Sequence, residues 1–302
     1  MGRKYYWYIF IILIVAYVAA VFLVPTDPHT LQKYHVSESQ AKLINASVVI
    51  PIIAIWCTAF YGFSRIKSYA VAVRHTPEGG PFNALAAGLM ISVMGLPLTS
   101  VVSTILNRLA VLHPDLLPTV TIMRNYLGVI LALLAFYLIG NGAEALTHLV
   151  KNKRTSLGHQ AWVIAFVVCG CVFSWLIMAH RAGGNGQQSA YYLPDWLILT
   201  TIAIPYTYVW YRGAVAAYSI YFYQKNINGT LYKRALGSFS AGIAVVIGAS
   251  IFIQVLTTFS ERLNRLHLTP VLGIIYLLLV MWAIGYGLIA KGAKKLKTLE
   301  DV

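Results

Sequence analysis

Residues 84–106 read ALAAGLMISVMGLPLTSVVSTIL, 23 consecutive residues without a charge. About 20 apolar residues carry a helix across the hydrocarbon core of a bilayer. A helix is also the state in which a lone segment satisfies its own backbone polar groups in lipid. The run therefore predicts a transmembrane helix, and similar runs lie at 5–24, 44–64, 119–141, 160–179, 195–220, 238–258 and 270–290. The expected fold is an all-α integral membrane protein with eight transmembrane helices. Composition agrees across the 302 residues: 59% are hydrophobic and 11% charged, and mean hydropathy is +0.70. Globular chains carry roughly 45–50% apolar and about 25% charged residues, so a soluble fold is excluded. A large disordered region is excluded too, because too little of the chain is polar. The run at 5–24 exceeds the apolar core of a secretory signal, and no clean small-x-small cleavage site follows it, so a retained helix is expected.

Orientation follows from the basic residues, which concentrate on the cytoplasmic side of membrane proteins. With the N-terminus in the cytoplasm, the inner segments hold 15 of the 23 lysines and arginines against four acids. The outer segments hold six against five, while Arg124 and Arg212 lie within apolar runs. Net charge is then +11 inside and +1 outside, which predicts cytoplasmic N and C termini. The same distribution accounts for the high isoelectric point without nucleic acid. The charge sits in short inner loops, where it suits anionic lipid headgroups, and no loop is long enough for a nucleic-acid-binding module.

The quoted run has a counterpart. A shift of 154 residues lays Pro51 on Pro205, Trp56 on Trp210 and Ala87-Gly88 on Ala241-Gly242. It also lays Arg108-Leu109-x-x-Leu112-His113 on Arg262-Leu263-x-x-Leu266-His267, and 84–113 shares 8 of 30 residues with 238–267. At a shift of 150, Gly142-Ala143 falls on Gly292-Ala293. The unit predicted is four helices repeated once, over 1–150 and 151–302. Four is even, so the two copies run in the same direction, and sites in such folds lie where the repeats meet. Small residues are expected at helix contacts: Gly88, Ser92 and Gly95, then Gly140 and Gly142, with Gly237, Ala241, Gly242, Gly248, Gly285 and Gly287 in the second half.

The doubled motif is the first candidate site. Arg108 and Arg262 close their helices, and His113 and His267 follow five residues on, at the outer side. Guanidinium groups bind phosphate, carboxylate or halide, and histidine adds positive charge that depends on pH. The same arginines also suit simple snorkelling to headgroups. Arg124 and Arg212 lie deeper, where an arginine is costly and so a candidate for function, although each is only two or three turns from a helix end. Thr200, Thr201, Thr207, Tyr208 and Tyr211 give the sixth span the most hydrophilic interior, so that helix is expected to line any pathway. No Asp or Glu falls mid-span, which disfavours carboxylate-driven coupling.

Enzyme chemistry finds no support, because no nucleophile elbow, zinc-protease motif or phosphate loop occurs. No metal or cofactor is expected. The three cysteines, Cys57, Cys169 and Cys171, lie in apolar runs and offer no disulfide framework. The sequence thus predicts a multi-pass protein of a plasma or bacterial inner membrane. It would be a channel, carrier or binder for an anionic solute or lipid headgroup at the interface of its repeats. The alternative is a non-transporting sensor or assembly subunit. Expected partners are anionic lipids at the inner basic loops and a second copy or another membrane protein.

Overall fold

The computed structural model describes residues 3–23, 31–32, 35–112, 117–150, 204–258 and 268–298. Seven helices form there: α1 Arg3–Leu23, α2 Glu38–Ala72, α3 Gly79–Leu112, α4 Leu117–Val150, α5 Ile204–Asn226, α6 Thr230–Thr258 and α7 Leu268–Thr298. Among the described residues there is no strand. Six of the seven helices, all but α5, are long and apolar enough to cross a membrane. The expected span at 160–179 and the start of that at 195–220 lie outside the described residues.

The helices outrun the apolar stretches that announce them. α2 covers 35 residues against an expected 44–64. At its start Ser37 forms a capping box with Gln40: the Gln40 amide donates to Ser37 Oγ, and the Ser37 amide donates to Gln40 Oε1 at 2.8 Å. Orphan amides of the first turn are thereby satisfied. At its end the helix continues through Arg65 and Lys67, since an apolar run marks only the part suited to hydrocarbon.

Contacts between helices set a closed order. α2 packs on α3, α3 on α4, α4 on α5, α5 on α6, α6 on α7, and α7 returns to α2. The six helices form a ring, and α1 lies outside it against α2 and α3. Aromatic rings fasten α1: Phe10 stacks on Phe60 at 4.4 Å, and Tyr17 meets Trp56 edge-on at 4.9 Å. α2 and α7 run parallel, with the Tyr276 hydroxyl donating to Ser47 Oγ at 2.6 Å near their starts and Gly62 facing Ala290 further along. α4 and α5 are parallel as well, with Gly140 beside Arg212 and Thr147 beside Ser219.

Lipid offers no hydrophobic drive between helices, so close backbone approach supplies the packing. A Cβ on Gly88 would lie 2.6 Å from the Ala135 carbonyl and 2.9 Å from the Ile139 nitrogen. On Gly242 it would lie 2.6 Å from the Gly285 carbonyl and 2.8 Å from the Ile289 nitrogen. Gly142 comes equally close to the Pro81 carbonyl, and Gly292 to that of Ala235, at 2.6 Å each. Two expected contact glycines are not of this kind. Among the described residues, Gly248 and Gly287 have nothing within 4 Å of an added Cβ.

One apolar cluster draws on all seven helices, with Phe82, Leu85, Val93, Leu236, Phe239 and Leu296 fully buried in it. Contacts between helices that are not ring neighbours cross the interior. Ser92 of α3 meets Tyr286 of α7 at 3.4 Å, and Tyr69 of α2 meets Tyr232 of α6 at 3.3 Å.

Candidate functional site

Arg212 is the charged side chain buried among the described residues, at 7% exposure. α5 repeats its buried positions with helical spacing, and Val209, Arg212, Gly213, Ala216 and Ser219 turn one face inward. Opposite that face runs α4, where Tyr137, Gly140, Asn141 and Glu144 lie three and four residues apart on one side. Arg212 Nη1 donates to Glu144 Oε2 at 3.0 Å, Nη2 donates to Asn141 Oδ1, and Nη2 is 3.5 Å from the Tyr137 carbonyl. The Tyr137 ring lies 5.9 Å from the guanidinium carbon. Arg212 Nε is buried and has no hydrogen-bond partner.

Gly140 makes this arrangement possible. A Cβ there would lie 2.6 Å from Arg212 Nε and Nη2 and 2.7 Å from Cζ. The guanidinium therefore lies flat on the α4 backbone in space left by the missing side chain. Glu144 keeps 32% of its side chain exposed, so the pair joins a buried cation to a carboxylate that reaches the surface. Leaving either charge without the other inside a bundle is costly, which gives the pair a structural role at the α4–α5 contact.

The other expected site residues are spread. Arg108 falls in the last turn of α3 and Arg124 in the first half of α4, with side chains outside the described residues. His113, Arg262, His267, Thr200 and Thr201 lie outside the described residues altogether. On α5, Thr207 and Tyr211 are half-buried and Tyr208 is 39% exposed, with its ring 6.4 Å from that of Tyr211. Tyr208 lies one helical turn before Arg212, whereas Thr207 and Tyr211 are turned further round α5.

A second polar cluster lies where the α2–α3 and α5–α6 connections meet. Glu78, just before α3, accepts a hydrogen bond from Tyr223 of α5 on Oε1 and from Tyr232 of α6 on Oε2, the latter at 2.8 Å. Tyr69 of α2 has its hydroxyl 3.3 Å from both Glu78 Oε2 and the Tyr232 hydroxyl. No cation pairs with Glu78 among the described residues.

Sequence reasoning missed Glu144 and Asn141 as partners of Arg212, and it missed the Glu78 cluster entirely. Glu144 stands 68 residues from Arg212, and nothing local relates them. The cluster did leave a trace: the 154-residue shift lays Tyr69 on Tyr223 and Glu78 on Tyr232.

By the length and composition of its described helices the chain is a polytopic helical membrane protein. No protein-family model, curated protein or solved structure matches it.

Proposed function

We propose that this is a duplicated membrane protein that binds and slowly carries an anionic group, a free anion or a lipid headgroup, where its two repeats meet. The observation that carries the reading is Arg212, a buried guanidinium with its Nε–H unused. A guanidinium presents five donors, and Glu144 and Asn141 engage only the two Nη groups. An anion of matching fork geometry can take Nε–H together with Nη2 as the Asn141 amide turns aside, while Glu144 keeps Nη1. The outer pairs Arg108–His113 and Arg262–His267 would attract the anion to the mouth, and Arg124 would stand between mouth and interior. Thr207, Tyr208 and Tyr211, with Thr200 and Thr201, would supply hydroxyls along the sixth span.

The duplication itself is supported by matched packing. Gly88 on Ala135 and Ile139 corresponds to Gly242 on Gly285 and Ile289, at shifts of 154 and 150. Gly142 on Pro81 and Leu85 corresponds in the same way to Gly292 on Ala235 and Phe239. In this reading eight helices form two same-direction repeats, 1–150 and 151–302, with both termini cytoplasmic in a plasma or bacterial inner membrane. The inner basic loops rest on anionic headgroups.

The apolar cluster that draws on all seven helices favours a slow carrier or binder over a standing pore, because passage then needs the helices to move. The same cluster supports the second reading, a sensor or assembly subunit that transports nothing. Proteoliposomes loaded with chloride, nitrate or phosphate separate the two. The carrier reading expects efflux that falls at least tenfold in Arg212→Gln. For a headgroup, it expects phosphatidylglycerol retained on purification by the native chain and lost from that variant. Neither efflux nor retained lipid would leave the assembly reading.

A further inference from the structure

Glu78 is a half-buried carboxylate in a chain that is otherwise strongly basic, yet among the described residues its side chain accepts hydrogen bonds from tyrosines alone. Two basic side chains of the same stretch of chain bond other groups. Arg74 Nε donates to His75 Nε2 at 2.7 Å, and Lys67 Nζ donates to Asn83 Oδ1 at 2.8 Å. The three tyrosines come from three different helices, α2, α5 and α6, and Glu78 itself leads into α3. Neither Tyr223 nor Tyr232 belongs to a helix adjacent to the Glu78 turn in the chain. The carboxylate thus joins the α2–α3 connection to the α5–α6 connection across the ring. Hydrogen bonds to an ionised acceptor are roughly twice as strong as neutral ones, so the join depends on that one charge.

We propose that Glu78 is a clasp holding the α2–α3 and α5–α6 connections together at one face of the ring, and that loss of its charge lets them separate. Tyr223 and Tyr232 are the donors that close it, and Tyr69 keeps the Tyr232 hydroxyl in place. When the carboxylate is replaced by a neutral group, each tyrosine loses a charged acceptor and finds competing partners in water at the membrane surface. The clasp does not depend on what the protein carries or on whether it carries anything. It is a device of the fold that any inward opening of the ring has to release.

The test uses nitroxide labels at Thr76→Cys and Asn228→Cys, both exposed, in the full chain with Cys57, Cys169 and Cys171 replaced by serine. Pulsed electron resonance in lipid vesicles reads the distance between the two connections. Native Glu78 is expected to give a single narrow distribution. Glu78→Gln is expected to move it to longer distances, beyond the native width. Tyr223→Phe/Tyr232→Phe keeps the carboxylate but removes its donors, and the same shift is expected there, which covers the case that the glutamine variant does not fold. Distributions that coincide with the native one in the folded variants would overturn the clasp.

Discussion

At Arg212 one side chain decides how the α4–α5 contact is read. Its position in an apolar run leaves two outcomes open, a snorkelling cation or a cavity-lining one. The structure instead gives it a carboxylate from another helix and a glycine to lie on. Sequence cannot reveal that partnership, because Glu144 lies 68 residues away, nearly two turns before the C-terminal end of α4, where the charge count assigns it to a loop. Gly140 was legible as a contact residue, but not what it contacts. The pairing makes a prediction about stability. Glu144→Gln leaves a buried guanidinium uncompensated, and loss of one partner of a buried pair costs about 3–5 kcal/mol. The partial exposure of Glu144 lowers that, so about 2 kcal/mol is expected here. The double variant Arg212→Leu/Glu144→Leu is expected to recover most of the loss, since paired charges replaced by hydrocarbon are often neutral. Thermal unfolding in detergent micelles checks both. A double variant no more stable than the single would show that the charges do more than satisfy each other.

At the scale of the helix, existence was legible and extent was not. Each described helix overlaps an expected apolar run, because hydrocarbon-length stretches of Leu, Ile, Val, Ala and Phe leave the backbone no other state. The ends escape that argument. α2 begins at Glu38 because Ser37 and Gln40 cap it, and these are polar residues outside the apolar window. Contact glycines were only partly legible, since a glycine records room for a neighbour and not the neighbour's presence. Gly88 and Gly242 press on backbone atoms, whereas an added Cβ at Gly248 meets none of the described residues. Gly88→Ala and Gly242→Ala are therefore each expected to destabilise by about 1–3 kcal/mol, the usual cost of overpacking. Gly248→Ala is expected to be neutral or to stabilise by up to about 1 kcal/mol through helix propensity. Equal losses at Gly88 and Gly248 would contradict the packing described above.

Across the whole molecule, sequence periodicity predicted the membrane class but could not order the helices. Eight similar apolar segments can be arranged around one another in many ways, and nothing in a leucine-rich run names its neighbour. The ring from α2 to α7 and the two polar joins, Arg212–Glu144 and the Glu78 cluster, appear only once the helices are packed. The repeat offset was the one long-range signal available, and it aligned the glycines that make matching contacts in the two halves. The function proposed from this architecture is tested most directly by anion efflux from proteoliposomes holding a chloride, nitrate or phosphate gradient. The native chain is compared with Arg212→Gln and with Arg108→Glu/Arg262→Glu. Efflux present in the native protein, lost in Arg212→Gln and reduced by the outer charge reversal is the predicted result. Efflux that persists unchanged in both variants would contradict an anion path through these arginines.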